Sequence, residues 1–202
     1  ELGIKMVLPS LEQFEARHKV NLFEYGRKHN LLVPFAKMLL SPAEIPAIGR
    51  EFGFPIVVKG KFYDAQIAHT ADQATGYFNK ISSRWGLPVL IQKYVSGTEV
   101  NVCGTGDGTG RTLGAVPMRK LYITDKGKAW AGVTLDDEKL MGTTRKLVKE
   151  TKWRGPFELE FIKTAQGAYY LLEINPRFPA WCYLTVGAGQ NETKIRKFVD
   201  QT

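Results

Sequence analysis

Hydrophobic residues along the chain recur with two periods, and the interleaving of the two predicts its elements. Ser10 stands before Leu11, Phe14, Val20, Leu22, Phe23 and Tyr25, which predicts a capped helix that Asn30 stops. Leu31 to Pro34 is then extended, because a residue before proline avoids the α region. A short helix is expected from Pro42 to Phe52. The apolar run Pro55-Ile-Val-Val-Lys59 reads as a buried strand that delivers Lys59 to its exit. A second strand at Asp64 to Ala68 and a helix from Ala71 to Ser83 follow. Leu87 to Val95 is a strand, Gly97 and Glu99 mark a bend, and Val100 to Gly106 is another strand. The glycines of Gly106-Asp-Gly-Thr-Gly110 form a turn. With no helix after it, this cluster is not a phosphate loop. Strands at Thr112 to Tyr122 and Ala129 to Leu135 flank a turn at Asp125 to Lys128. A helix spans Asp136 to Thr151, and a last helix runs from Asn191 to the end. Ile4 to Leu8 reads as an extended segment closing something earlier, so an upstream domain of the same polypeptide is expected.

Between the last two helices, Phe157 to Arg177 alternates polar and apolar residues on both sides of Gln166-Gly167, the pattern of a β-hairpin with one half-buried face. A two-residue loop places Glu160 opposite Glu173 and Glu158 opposite Asn175, all on one face. Opposed like charges repel on a sheet. Carboxylates and an amide oxygen converging there fit a hard divalent cation, which prefers oxygen ligands. A three-residue loop shifts the parity and separates Glu160 from Glu173.

Composition narrows the setting. The 202 residues, 44% hydrophobic and 24% charged, suit one large domain or two small lobes. No apolar run approaches the roughly 20 residues of a membrane span, and no signal peptide is visible. Cys103 and Cys182 lack zinc or disulfide-scaffold spacing and read as free thiols of a reducing compartment, which makes the cytoplasm the expected location. The net charge of +8 calls for an anionic partner without naming it. Its cations are scattered and its aromatics sit in strand cores, so a nucleic-acid module is disfavoured. Antiparallel strands interleaved with few helices argue an α+β fold in two lobes.

Lys59, the bend Gln92-Lys-Tyr-Val-Ser-Gly-Thr-Glu99 and the set Glu160, Glu173, Asn175 together resemble the ATP-grasp superfamily, over nearly the whole chain from Pro9 onward. The run Glu173-Ile-Asn-Pro-Arg177 is similar to carbamoyl phosphate synthetase and related carboxylate-amine ligases, and the bend to D-alanine:D-alanine ligase. The resemblance implies two α+β lobes whose antiparallel sheets sandwich the nucleotide. Residues 1–40 then form a linking strand and helix, 41–95 a small lobe and 96–202 a large lobe.

The resemblance also implies roles. Lys19 and Lys59 reach the α- and β-phosphates of ATP as point charges. Gln92, Lys93, Tyr94 and Val95 line the adenine, with backbone groups of Lys93 to Val95 at its edge, and Glu99 accepts from the ribose hydroxyls. Glu160, Glu173 and Asn175 hold magnesium, which keeps waters and phosphates as its remaining ligands. Arg177 stabilises the moving phosphoryl group or the acyl-phosphate oxyanion, or else pairs with Glu158 in a structural network. Arg119 and Lys120 add positive charge over the γ-phosphate. The chain departs from the resemblance after Lys59, where Lys59-Gly-Lys-Phe-Tyr-Asp-Ala65 carries one glycine and family members commonly carry several.

The expected function is an ATP- and magnesium-dependent ligase acting on a small-molecule carboxylate and an amine. No Gly-x-Ser-x-Gly elbow or P-loop is present, and His18, His29 and His69 lack catalytic spacing. A bicarbonate-phosphorylating enzyme and a nucleotide-binding domain without turnover remain alternatives.

Overall fold

The computed structural model describes residues 7–61, 64–124 and 129–190. The expected helix from Asn191, the turn at 125–128 and the start of the segment from Ile4 lie outside the described residues.

Two antiparallel sheets carry the fold. The first has the order β1-β4-β2-β3, from Ala36–Leu39 (β1), Ile56–Lys59 (β2), Ala65–Ala68 (β3) and Val89–Lys93 (β4). Helices α3 (Ile45–Phe52) and α4 (Ala71–Trp85) cover one side of it. Ile45, Ile48, Phe52, Ala74, Phe78 and Ile81 pack there against Leu39, Ile56, Val58, Val89 and Ile91. Strand β1 was not expected, because Ala-Lys-Met-Leu carries no β-branched residue. It lies ahead of residue 41, so this sheet takes in part of the expected linking segment.

The second sheet has the order β7-β6-β5-β8-β9, from Thr98–Asp107 (β5), Thr112–Ile123 (β6), Ala129–Thr134 (β7), Arg154–Lys163 (β8) and Tyr169–Asn175 (β9). Its apolar face packs Val100, Val102, Phe157, Leu159, Phe161 and Ile174 against Leu140, Leu147 and Val148 of α5 (Glu138–Thr151). Trp153, fully buried, closes this core.

The expected single helix after Ser10 is two helices, α1 (Leu11–Ala16) and α2 (Leu22–Lys28). Ser10 caps α1 in a reciprocal box with Gln13. Asn21 Nδ2 donates to the carbonyl of Glu15 at 3.1 Å, a side-chain bond that favours a turn over continued helix. The break puts Lys19 on a turn. Beyond α2, Leu31 and Val33 enter the large core, and Leu32 accepts a hydrogen bond from Leu171 N at 2.8 Å, which ties this segment to the edge of β9.

Helix α5 is capped by Asp137, whose side chain accepts from Leu140 N at 3.0 Å and Lys163 Nζ at 2.7 Å, and from the Tyr169 hydroxyl. Desolvation works against its charge, but these donors win and hold the carboxyl at about 2. Asp137→Ala is expected to cost about 1 kcal/mol, measured by urea unfolding at pH 7. Because the folded pKa is depressed, the contribution of Asp137 is complete above pH 4 or so and is lost as pH falls toward about 2. The variant should therefore lose its deficit over that window.

Candidate functional site

The acidic face depends on a β-bulge. The β8–β9 loop has three residues, not two: Thr164 N donates to Ala168 O and Gly167 N to Thr164 O, both at 2.9 Å. Gly167 takes φ +74°, as the third residue of such a loop requires. Near the loop, Phe161 therefore pairs with Leu171 and Lys163 with Tyr169. Continued without interruption, that register would turn Glu173 toward the core. The ladder instead shifts between Glu160 and Phe161, leaving Leu172 as the extra residue, and from there Glu160 faces Glu173 and Glu158 faces Asn175. A three-residue loop was expected to separate Glu160 from Glu173; the bulge restores the parity, and the pairs form with that loop. Burial follows the shift: Leu171 and Ile174 are buried, while Leu172, Glu173 and Asn175 are half-buried.

Glu160 and Glu173 are surrounded by ammonium groups. Lys19 Nζ lies 3.6 Å from Glu173, and Lys120 Nζ lies 3.8 Å from Glu160 and 2.9 Å from Glu99. Asn175 Nδ2 donates to Glu160 Oε1 at 3.1 Å. Burial pushes the Glu160 carboxyl up, and Glu173, Glu158 and Glu99 push it further, against the opposing pull of Lys120. Desolvation works against the charge on Lys120, but Glu160 and Glu99 hold its pKa above the ordinary value.

From the first sheet comes Lys59, at the end of β2, on the sheet side shared with Val57, Leu90 and Gln92. Burial and the nearby Lys19 lower its ammonium to about 8, while Glu173, Glu160 and Glu99 resist. The sheets thus bring Lys59, Lys19 and the carboxylates within electrostatic reach. Gln92 is buried in β4, and Tyr94 and Val95 lie in the short linker between β4 and β5. The Lys93 N–H donates to Phe35 O at 2.8 Å, so that amide is spent inside the fold and is not offered at the linker. Gly97 is required where the linker crosses β8: a Cβ there would sit 2.3 Å from Lys163 O.

Two expected residues are placed differently from the rest. Arg119 pairs with Val100, one step out of phase with Lys120, and is exposed on the sheet face away from Glu160. Arg177 Nη1 donates to Glu158 Oε2 at 2.9 Å. The Oε1 atom of Glu158 accepts from Trp181 Nε1 at 2.8 Å and Asn101 Nδ2 at 3.0 Å. With three donors on it, Glu158 is not a third carboxylate of the cation set. Among the described residues no group of three His, Cys, Asp or Glu side chains is disposed to hold a metal ion. The set is two carboxylates and one amide.

Sequence reasoning missed Asn101, Trp181 and Arg17. Asn101 is buried, pairs with Glu160 across β5 and β8, and has an Oδ1 atom with no hydrogen-bond partner. Its signal was a polar residue between valines in a strand. The guanidinium of Arg17 lies over Phe14 at 4.3 Å and in the field of Glu173.

Two antiparallel sheets, a linker between them, and facing cations and carboxylates define an ATP-grasp domain. Solved structures share this fold. The biotin carboxylase domain of Hydrogenobacter thermophilus 2-oxoglutarate carboxylase, in complex with MgADP, ADP and bicarbonate, superposes with a TM-score of 0.79 at 18% identity, over 93% of this chain and 46% of that one. For D-alanine–D-alanine ligase from Bacillus anthracis the TM-score is 0.77 at 17% identity, over 100% and 71%. N5-carboxyaminoimidazole synthase from Aspergillus clavatus, in complex with ADP and 5-aminoimidazole ribonucleotide, gives 0.74 at 18% identity, over 89% and 50%. The chain spans about half the length of the carboxylase and synthase chains. Residues 87–199 match the profile of the family described as ATP-grasp in the biosynthetic pathway with Ter operon, and the chain belongs to that family. Among the described residues no helix is long and apolar enough to cross a membrane.

Proposed function

We propose that this chain is the nucleotide-binding part of an ADP-forming ligase that activates a carboxylate as an acyl phosphate for attack by an amine. The observation that carries the reading is the pair Glu160–Glu173, set face to face by the bulge at Leu172 and ringed by Lys19, Lys59 and Lys120. Arrays of like-charged carboxylates are unfavourable in a fold unless a cation uses them.

The residues present fit magnesium. Glu160, Glu173 and the Asn175 amide oxygen are hard donors, few enough to leave positions for water and phosphate oxygens. Burial, and after it the neighbouring carboxylates, push the Glu160 carboxyl up, a cost that a cation bound there would relieve. When bound, the ion neutralises charge on the transferring phosphate. Lys19 and Lys59 attract the polyphosphate, Gln92 and the Tyr94–Val95 linker accommodate the base, and Glu99 accepts from the ribose. Lys120, held between Glu99 and Glu160, supplies charge at the γ-phosphate. Arg119 serves only as background positive charge from the far face.

The reaction needs no protein nucleophile. A carboxylate oxygen bonds to the γ-phosphorus as the bond to the β-bridging oxygen breaks and ADP departs. The amine nitrogen then attacks the acyl carbon, phosphate leaves and the nitrogen loses a proton. The enzyme's contribution is alignment and charge stabilisation. Coupled ADP release by the full-length protein, across a panel of carboxylates with and without amines and bicarbonate, tests this. Magnesium-dependent release with one carboxylate–amine pair is expected. Its absence across the panel, despite tight MgATP binding, would favour a domain that binds without turnover.

A further inference from the structure

We infer that Glu158 is the positioning residue for Arg177: it fixes one edge of the guanidinium so that the remaining donors face an anionic group in transfer at the end of the acidic face. This rests on the reading of the face as a nucleotide site. Glu158 is buried, its side chain 7% exposed, whereas that of Arg177 is 55% exposed. Among the described residues both side-chain bonds of Arg177 use Nη1, to Glu158 Oε2 at 2.9 Å and Phe178 O at 3.4 Å. Nε and Nη2 are left as donors on the exposed part of the side chain. A planar guanidinium held at one corner has its remaining N–H directions fixed, the condition for recognising a carboxylate or phosphoryl group.

The carboxylate is itself immobilised. Asn101 of β5 and Trp181, from the segment after β9, both donate to Oε1, while Arg177 occupies Oε2. On the backbone, Pro176 and the bond from Arg177 N to Asn175 O at 2.9 Å set where the arginine leaves the strand. Arg177 Nη1 reaches Glu158, which faces Asn175 and lies two residues along β8 from Glu160, so the guanidinium sits at the Glu158 end of the acidic face.

Stability alone does not account for this carboxylate. A buried ion pair is often no better for folding than apolar residues of the same volume. Here the carboxylate also adds a like charge to the sheet face that already carries Glu160 and Glu173. An apolar residue at 158 would remove that repulsion and leave Arg177 undirected. The repulsion is tolerated because the site needs the arginine aimed.

The test measures binding rather than turnover. Titration calorimetry on the full-length protein compares MgADP alone with MgADP plus aluminium fluoride, whose fluoride complex stands in for the phosphoryl group in transfer. In the wild type, aluminium fluoride is expected to tighten MgADP at least tenfold. In Glu158→Gln the tightening should fall to about twofold or less, while MgADP alone changes much less. Trp181→Phe, which removes one donor to Glu158 Oε1 but keeps the Arg177–Glu158 pair, should retain most of it. Glu158→Asp keeps the charge but withdraws it by one methylene, and it carries the test if the glutamine variant does not fold; it too should lose tightening. Equal tightening in wild type and the Glu158 variants would overturn the role of Glu158 and leave the nucleotide site standing. Failure of the wild type to bind MgADP would overturn the nucleotide site itself.

Discussion

Glu173→Gln is expected to lower magnesium-dependent ADP release by on the order of 10²–10³-fold while leaving the fold intact. The substitution is nearly isosteric and half-buried, and it removes a charge that opposes Glu160 across the ladder and pairs with Lys19 at 3.6 Å. Removing a like charge from a crowded face should leave stability unchanged or raise it slightly. Loss of rate without loss of stability is thus the signature of a ligand, and the reverse would mark a structural carboxylate. The magnesium concentration for half-maximal rate should rise in the same variant, because one of two anionic donors is gone. Glu160→Gln should behave alike in rate, with a larger gain in stability, since Glu160 is the carboxyl that burial and its neighbours already push up. Unchanged ADP release in both variants would remove the metal assignment.

Much of this arrangement was legible in the sequence, for identifiable reasons. Alternation over Phe157 to Lys163 revealed β8, and the polar residues Glu160, Glu173 and Asn175 marked the face that they share. The loop length stayed open because Gln166-Gly167 also looks like a two-residue turn, whereas Gly167 is the left-handed third residue of a longer one. The bulge left a trace that was not used: the adjacent leucines Leu171 and Leu172 break an otherwise regular alternation, and one of them had to be extra. Strand β1 was missed because its residues have no strand preference and its pairing with β4 is non-local. The helix after Ser10 was drawn too long because Val20 and Leu22 continue an approximate helical spacing across the turn that holds Lys19. Arg119 illustrates the limit of adjacency: neighbours in a strand point to opposite faces, so Arg119 and Lys120 could not both serve one site. The clamp around Glu158 joins residues 101, 158, 177 and 181, and no periodicity connects a strand to a segment past its neighbour's end.

Nucleotide affinity should fall as pH rises through about 8, because Lys59 has its pKa lowered to about 8. Burial is the main cause, with Lys19 adding repulsion, and only partial compensation comes from Glu173, Glu160 and Glu99. Below that pH the ammonium is charged and available to phosphate; above it, each further unit should weaken MgADP by up to about tenfold, until the pKa of the bound form is reached. Stability of the free protein moves the other way. The unfolded lysine titrates near 10.4 or so, hence between pH 8 and that value the unfolded chain holds a proton that the folded chain has released, and unfolding becomes less favourable as pH rises. Below pH 8 the whole penalty of burying the charge is present. Lys59→Met separates the two effects. It should weaken MgADP roughly 10- to 100-fold at pH 7, the range for a hydrogen bond to a charged group. It should flatten the affinity profile above pH 8 and stabilise the free protein most at neutral pH, with the gain vanishing above pH 10 or so. Calorimetric titration of MgADP and urea unfolding, both from pH 6 to 10.5, measure the two profiles. A pH-independent affinity in the wild type would show that the polyphosphate does not reach Lys59, and a stability difference that does not shrink with rising pH would show that Lys59 is not a buried charge.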